Sequence, residues 1–93
     1  MSIYLDNAAT TQIDSEVIEA ICKVMEENYG NPSSVHAFGR KARAEIEKAR
    51  RTVSSLLKVS PAEIFFTSGG TEADNMAILC SIRDLGVKHI ITS

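Results

Sequence analysis

Phe65-Phe66-Thr67-Ser68-Gly69-Gly70-Thr71-Glu72-Ala73-Asp74-Asn75 decides how this chain is read, because it turns an apolar stretch into a helical one through two glycines. The start of a helix leaves four backbone N–H groups without intrahelical partners and carries roughly half a positive charge. A phosphate fits that vacancy. Gly69 and Gly70 lack Cβ, so the backbone there is free to approach phosphate oxygens, and the Thr71 hydroxyl adds one more donor. A plain strand-to-helix turn with Thr71 as N-cap would have the same sequence, and the turn alone does not separate the two readings.

Outward from this turn, Ile64-Phe65-Phe66-Thr67 is apolar on successive residues, the pattern of a strand covered on both faces. A helix is expected from about Thr71 to Leu85, stopped by Gly86, and Lys88-His89-Ile90-Ile91-Thr92-Ser93 reads as a second strand. Together these predict a β-α-β unit with parallel strands and a right-handed crossover. Upstream, Ser60-Pro61-Ala62-Glu63 has the capping-box form with proline at the first helical position, so one short turn is expected. Before it a long helix carries the stripe Val35, Phe38, Ala42, Ile46, Ala49, Val53, Leu56 and Leu57, capped by Ser33 or Ser34. Its charged residues, Arg40, Lys41, Arg43, Glu47, Lys48, Arg50 and Arg51, read as a solvated face. A first helix runs from Asp14 with Val17, Ile18, Ile21, Val24 and Met25 at helical spacing and stops at Gly30. Asp6 to Thr11 reads as a loop. The fold class is therefore α/β, with N-terminal helices followed by a β-α-β unit.

Ninety-three residues at 44% hydrophobic content limit the chain to one small core. A net charge of -2, with both signs interspersed, implies no nucleic-acid or acidic-lipid partner. The longest apolar run, Met76 to Cys80, is far too short to span a membrane, and Asp6 comes too early for a signal peptide, so a cytoplasmic protein is expected. Cys22 and Cys80 fall on apolar helix sides and read as buried, inert thiols. His36 and His89 stand without metal-ligand spacing. A parallel sheet needs several strands, and two are offered. Phe65, Phe66, Ile90 and Ile91 then lack partners, at a loss of roughly 1.5–3 kcal/mol for each large residue left unburied. A chain of this kind is expected to be marginal, partly molten, or bound to something that completes the sheet.

Three segments in order carry a resemblance. Tyr4-Leu5-Asp6-Asn7-Ala8-Ala9-Thr10-Thr11, Tyr29-Gly30-Asn31-Pro32-Ser33-Ser34-Val35-His36 with Gly39, and Phe66 to Asn75 together resemble the N-terminus of NifS-like cysteine desulfurases. These belong to the class-V aminotransferase group with fold-type I architecture, and the likeness covers Ile3 to Ser93. The resemblance implies pyridoxal 5′-phosphate as cofactor, with Gly70 and Thr71 at its phosphate, and L-cysteine as substrate. Cysteine sulfur would pass to an enzyme cysteine as persulfide with release of alanine, usually toward iron–sulfur cluster assembly. A homodimer and a sulfur-accepting scaffold protein go with the complete enzyme. Asn7 and Asn31 resemble family loops near the active-site mouth, although either asparagine could simply tie a turn. Glu72 and Asp74 suit a first helical turn but would repel phosphate, so their side chains are expected to point away.

Catalysis of this kind needs a lysine bonded to the cofactor, a ring stacked on it and an Asp for the pyridine nitrogen. Lys58 and Lys88 do not stand in the family's lysine context, and neither Cys22 nor Cys80 matches its sulfur-accepting cysteine. Residues 1–93 therefore read as the phosphate-contacting part of such an enzyme, incomplete as a fold unit and inactive alone. The alternatives are a non-catalytic phosphate-binding or regulatory partner, or a related selenocysteine lyase or class-V aminotransferase.

Overall fold

The computed structural model describes residues 1–92, and the chain divides into two units, Met1–Thr52 and Val53–Ser93. In the first unit, Tyr4 ties the opening loop: its hydroxyl donates to the Asp6 carbonyl at 3.0 Å and shares a 2.6 Å hydrogen bond with Thr10 Oγ1. Helix α1 spans Ser15–Glu27. The Asp14 carboxylate accepts the Glu16 N–H at 3.0 Å, satisfying one orphan amide, a contact worth about 1 kcal/mol. The helix ends before Gly30 because Asn28 leaves the helical region at φ -126. The apolar stripe of α1 forms as its spacing predicts, yet none of its residues is buried.

Helix α2 spans Ala37–Leu57. Its start is capped differently from the expectation. Asn31 Oδ1 accepts the Ser33 N–H at 2.9 Å and the Asn31 carbonyl accepts the Ser34 N–H at 3.0 Å, so both serines are spent inside a turn. His36 takes the cap instead: its carbonyl accepts the Arg40 N–H at 3.0 Å and its Nδ1 accepts the Gly39 N–H at 3.4 Å. The basic residues of α2 are also more than a solvated face. Arg43 Nε donates to the Pro32 carbonyl at 2.8 Å, an Arg40 guanidinium nitrogen to the Val35 carbonyl at 2.5 Å, and Lys41 Nζ to the Glu27 carbonyl at 3.3 Å. These bonds, with Tyr29 and Phe38 rings 5.9 Å apart, hold the 29–36 segment to the start of α2.

In the second unit the last turn of α2 closes through Lys58 at φ 57, with the Val59 N–H returning to the Ser54 carbonyl at 3.0 Å. A 3-10 turn, Pro61–Glu63, follows as predicted. Ser60 Oγ accepts the Ala62 N–H at 3.3 Å while Glu63 accepts the Ser60 N–H at 2.7 Å, which completes the capping box. Helix α3 spans Gly70–Arg83, and Gly86 at φ +67 reverses the chain so that the Val87 N–H reaches the Ser81 carbonyl at 3.0 Å.

The expected β-α-β unit is the main correction. Neither 64–67 nor 88–92 is a strand, and the described residues contain no strand at all. A strand exists only through a hydrogen-bonded neighbour, and two short segments without a third give too little pairing to hold a sheet. The apolar residues meant for both faces of that sheet stay uncovered: Phe65 is 68% exposed and Ile91 98%. Among hydrophobic residues of the described chain only Ala42 is buried. An open apolar groove of about 630 Å³ runs along α3, lined by Phe65, Thr67, Ala73, Met76, Ala77 and Cys80.

Candidate functional site

The start of α3 concentrates the chemistry. Gly69 is the N-cap at φ 171 and ψ 178, and Ala73 N–H makes the first helical bond, to the Gly69 carbonyl at 3.2 Å. The amides of Gly69, Gly70, Thr71 and Glu72 are therefore the four without intrahelical acceptors. No side chain caps them, in contrast to the starts of α1 and the 3-10 turn, where Asp14 and Ser60 do so. Thr71 is the second helical residue rather than the N-cap, which is Gly69. Its hydroxyl makes no hydrogen bond among the described residues, while its carbonyl accepts Asn75 Nδ2 at 2.8 Å.

The turn before the helix is fixed by Thr67, whose Oγ1 donates to the Gly69 carbonyl at 3.0 Å. A Cβ added at Gly69 or at Gly70 would meet nothing within 4 Å, so the side-chain faces of both glycines are open. Four N–H groups without intrahelical acceptors and an unengaged hydroxyl fit a phosphate monoester dianion, which needs several donors for its three terminal oxygens.

Glu72 departs from the expectation. Instead of pointing away, its carboxylate folds back onto the turn, where one oxygen, Oε2, accepts the Ser68 hydroxyl at 2.6 Å and the Ser68 N–H at 2.7 Å. These bonds, the hydroxyl first, hold the Glu72 carboxyl below the usual glutamate range. Asp74 is exposed and makes no such contact. Sequence reasoning missed the Ser68–Glu72 pairing because it weighed Glu72 only against a ligand, and because a serine four residues before a glutamate lacks the three-residue spacing of a capping box.

The other candidates lie elsewhere. Asn31 spends its side chain on the 31–34 turn, and Asn7 sits in an exposed turn closed by the Ala9 N–H on the Asp6 carbonyl at 3.0 Å. The thiols are not buried: Cys22 is exposed and Cys80 half-buried, because the apolar sides of α1 and α3 are not covered among the described residues. No cluster of His, Cys, Asp and Glu suited to a metal ion occurs among the described residues, and no helix there is long and apolar enough to cross a membrane.

Comparison with known proteins gives a consistent answer. Residues 3–93 match the aminotransferase class-V family. The chain is 50% identical over 93 residues to the cysteine desulfurase IscS of Dictyoglomus turgidum, covering 98% of this chain and 24% of that protein. It is 47% identical over 95 residues to the cysteine desulfurase IscS of Methanosarcina thermophila, covering 99% of this chain and 23% of the other. It is also 47% identical over 98 residues to the cysteine desulfurase IscS of Azotobacter vinelandii, covering 100% of this chain and 24% of the relative. The chain thus spans about a quarter of the length of these relatives, at their N-terminal end.

Proposed function

The chain belongs to the aminotransferase class-V family, and on that premise we propose that it supplies the cofactor-phosphate corner of a pyridoxal 5′-phosphate-dependent cysteine desulfurase. The observation that carries the proposal is the uncapped start of α3, with open glycines at 69 and 70. In this reading the amides of Gly69 to Glu72 and the Thr71 hydroxyl bind the phosphate, and Gly70 and Thr71 are the residues in closest reach of it. Bound pyridoxal phosphate supplies an electron sink for carbanion chemistry at the amino acid. The residues of this chain do the holding: they fix the phosphate end, and with it the direction in which the ring extends. A hydrogen bond from Thr71 to this charged group contributes about 1.5–3 kcal/mol.

The reaction we assign to the whole protein is conversion of L-cysteine to L-alanine, with sulfur leaving as persulfide for iron–sulfur cluster assembly in the cytoplasm, carried out by a homodimer that hands sulfur to a scaffold protein. The fold-type I architecture of the class-V group goes with this reading. In that architecture, 64–67 and 88–92 would be strands of the large-domain sheet, paired with neighbours that the described residues do not include. We further propose that the 93 residues alone do not turn over cysteine, their part in the reaction being to hold the cofactor phosphate.

The test is a titration of the chain with pyridoxal phosphate and with inorganic phosphate, followed by the backbone amide resonances of residues 69–72. Wild type should show saturable shifts at these amides, and Thr71→Ala should weaken binding by roughly tenfold to a hundredfold with helix content unchanged. Saturation elsewhere on the chain, or an unchanged affinity in Thr71→Ala, overturns the assignment of the seat. Alanine formation by the isolated chain with cysteine and pyridoxal phosphate overturns the division of labour.

A further inference from the structure

The start of α3 carries its own competing anion. Glu72 is the third helical residue, the position from which a glutamate in a capping box returns to the amide of the N-cap. Glu63 does this at the 3-10 turn, accepting the N–H of its N-cap Ser60 at 2.7 Å. Glu72 does not. Its Oε2 passes the N-cap Gly69 and takes both donors of the residue before it, Ser68 N at 2.7 Å and Ser68 Oγ at 2.6 Å. The Gly69 amide is left open while a full negative charge is held beside it. Successive backbone nitrogens lie less than about 4 Å apart, so the carboxylate oxygen is within about 7 Å of the free Gly69 nitrogen. That is shorter than the screening length of about 8 Å at physiological salt.

We propose that the Ser68–Glu72 clasp lowers the affinity of the α3 start for a phosphate monoester, and that phosphate binding displaces the carboxylate from Ser68. The inference rests on the phosphate seat proposed above and concerns its regulation. Two effects act in the same direction. The carboxylate already compensates the positive end of the helix that the phosphate would otherwise compensate. It also repels a dianion held on these amides, with an energy set by the partly screened charges. Release of Ser68 then frees an N–H and a hydroxyl next to the seat as the ligand arrives. Glu72 thereby makes the seat weak for stray monovalent anions and for inorganic phosphate at low concentration, while a ligand with further contacts can still open it.

The experiment compares wild type with Glu72→Gln, using inorganic phosphate and pyridoxal phosphate as separate probes. It reads the amide resonances of residues 68–72 and the Glu72 side-chain carboxyl carbon. Glu72→Gln should bind both probes about threefold to tenfold more tightly. In wild type, addition of phosphate should move the Ser68 amide toward its position in Glu72→Gln and shift the Glu72 carboxyl resonance along the same binding curve. Equal or weaker affinity in Glu72→Gln, or a Ser68 amide that stays fixed while residues 69–72 shift, overturns the clasp and leaves the seat standing. Absence of any phosphate-dependent shift at residues 69–72 in both proteins overturns the seat, and the clasp with it. The wild-type carboxyl measurement decides the matter even if the substitution lowers the helix content.

Discussion

Gly39→Ala should open the segment before α2, and the size of the effect follows from the geometry. A Cβ at Gly39 would sit 2.6 Å from the Asn31 carbonyl oxygen and 2.7 Å from Ser34 Cβ, and closer still to the Ser34 carbonyl oxygen. Two of these three neighbours are backbone oxygens of the 31–34 turn, which cannot swing aside as a side-chain tip would. Overpacking of this kind costs about 1–3 kcal/mol, and the better helix propensity of alanine returns about 0.5–1 kcal/mol. The net loss is roughly 1–2 kcal/mol of local stability, a factor of about 5 to 30 in the population of the docked turn. The Ser34 N–H, bonded to the Asn31 carbonyl at 3.0 Å, reports that population directly. Its hydrogen-exchange protection should fall by about fivefold to thirtyfold in Gly39→Ala, while amides in the middle of α1 change little. Gly70→Ala is the internal control, since a Cβ there meets nothing within 4 Å and the exchange pattern should hold or improve. Equal or greater protection of Ser34 in Gly39→Ala would refute the claim that the turn is packed against the start of α2 through the missing Cβ.

Two further outcomes follow from single residues. The Ser68 donors lower the folded-state pKa of Glu72, so the stabilisation they provide is present above the unfolded value of about 4.3 and is lost as pH falls through the lower folded value. A carboxyl-carbon titration should place the Glu72 midpoint below that of a free glutamate, with the Ser68 amide moving in step; a midpoint at or above the free value contradicts the clasp. Lys58 holds φ 57 at the end of α2, a left-handed conformation costing a non-glycine residue about 1–2 kcal/mol. Lys58→Gly should gain up to about 1 kcal/mol after the extra chain entropy of glycine is subtracted, seen as slower exchange of the Val59 amide, and faster exchange would count against it.

What was legible in the sequence was local. Ser60-Pro61-Ala62-Glu63 contains both partners of both its hydrogen bonds within four residues, and the structure forms them as read. Asp14 before an apolar stripe likewise caps α1. Misreadings arose where the deciding partner lay farther off or was one of several. Ser33 and Ser34 have the chemistry of caps, but Asn31 claims the turn first and passes the cap to His36. Arg43 and Arg40 are solvent-exposed as their spacing predicts, and each also donates to a carbonyl of the preceding loop, which spacing alone does not reveal. Phe65, Phe66, Ile90 and Ile91 have strand chemistry without a strand, because a ladder is a property of two segments and the periodicity of one cannot supply it.

The same distinction explains why the proposed phosphate seat does not depend on buried surface, of which the described residues have little. Orphan amides are created wherever a helix begins, so the donors of Gly69 to Glu72 need only α3 itself and no sheet beneath it. Helix and ligand make opposing demands on the third position of that turn. A negative charge there stabilises the start of α3 when no ligand is bound, by the same electrostatics that draw phosphate to it. Glu72 meets the first demand and works against the second, and Ser68 sets the balance by holding the carboxylate to the turn. A residue chosen for phosphate affinity alone would be neutral at this position. A residue chosen for the helix alone would leave Ser68 free and return to Gly69, as Glu63 returns to Ser60. The observed geometry does neither: it leaves the helix start uncapped while holding a charge beside it, which is why the proposed seat and the proposed clasp stand or fall on separate measurements.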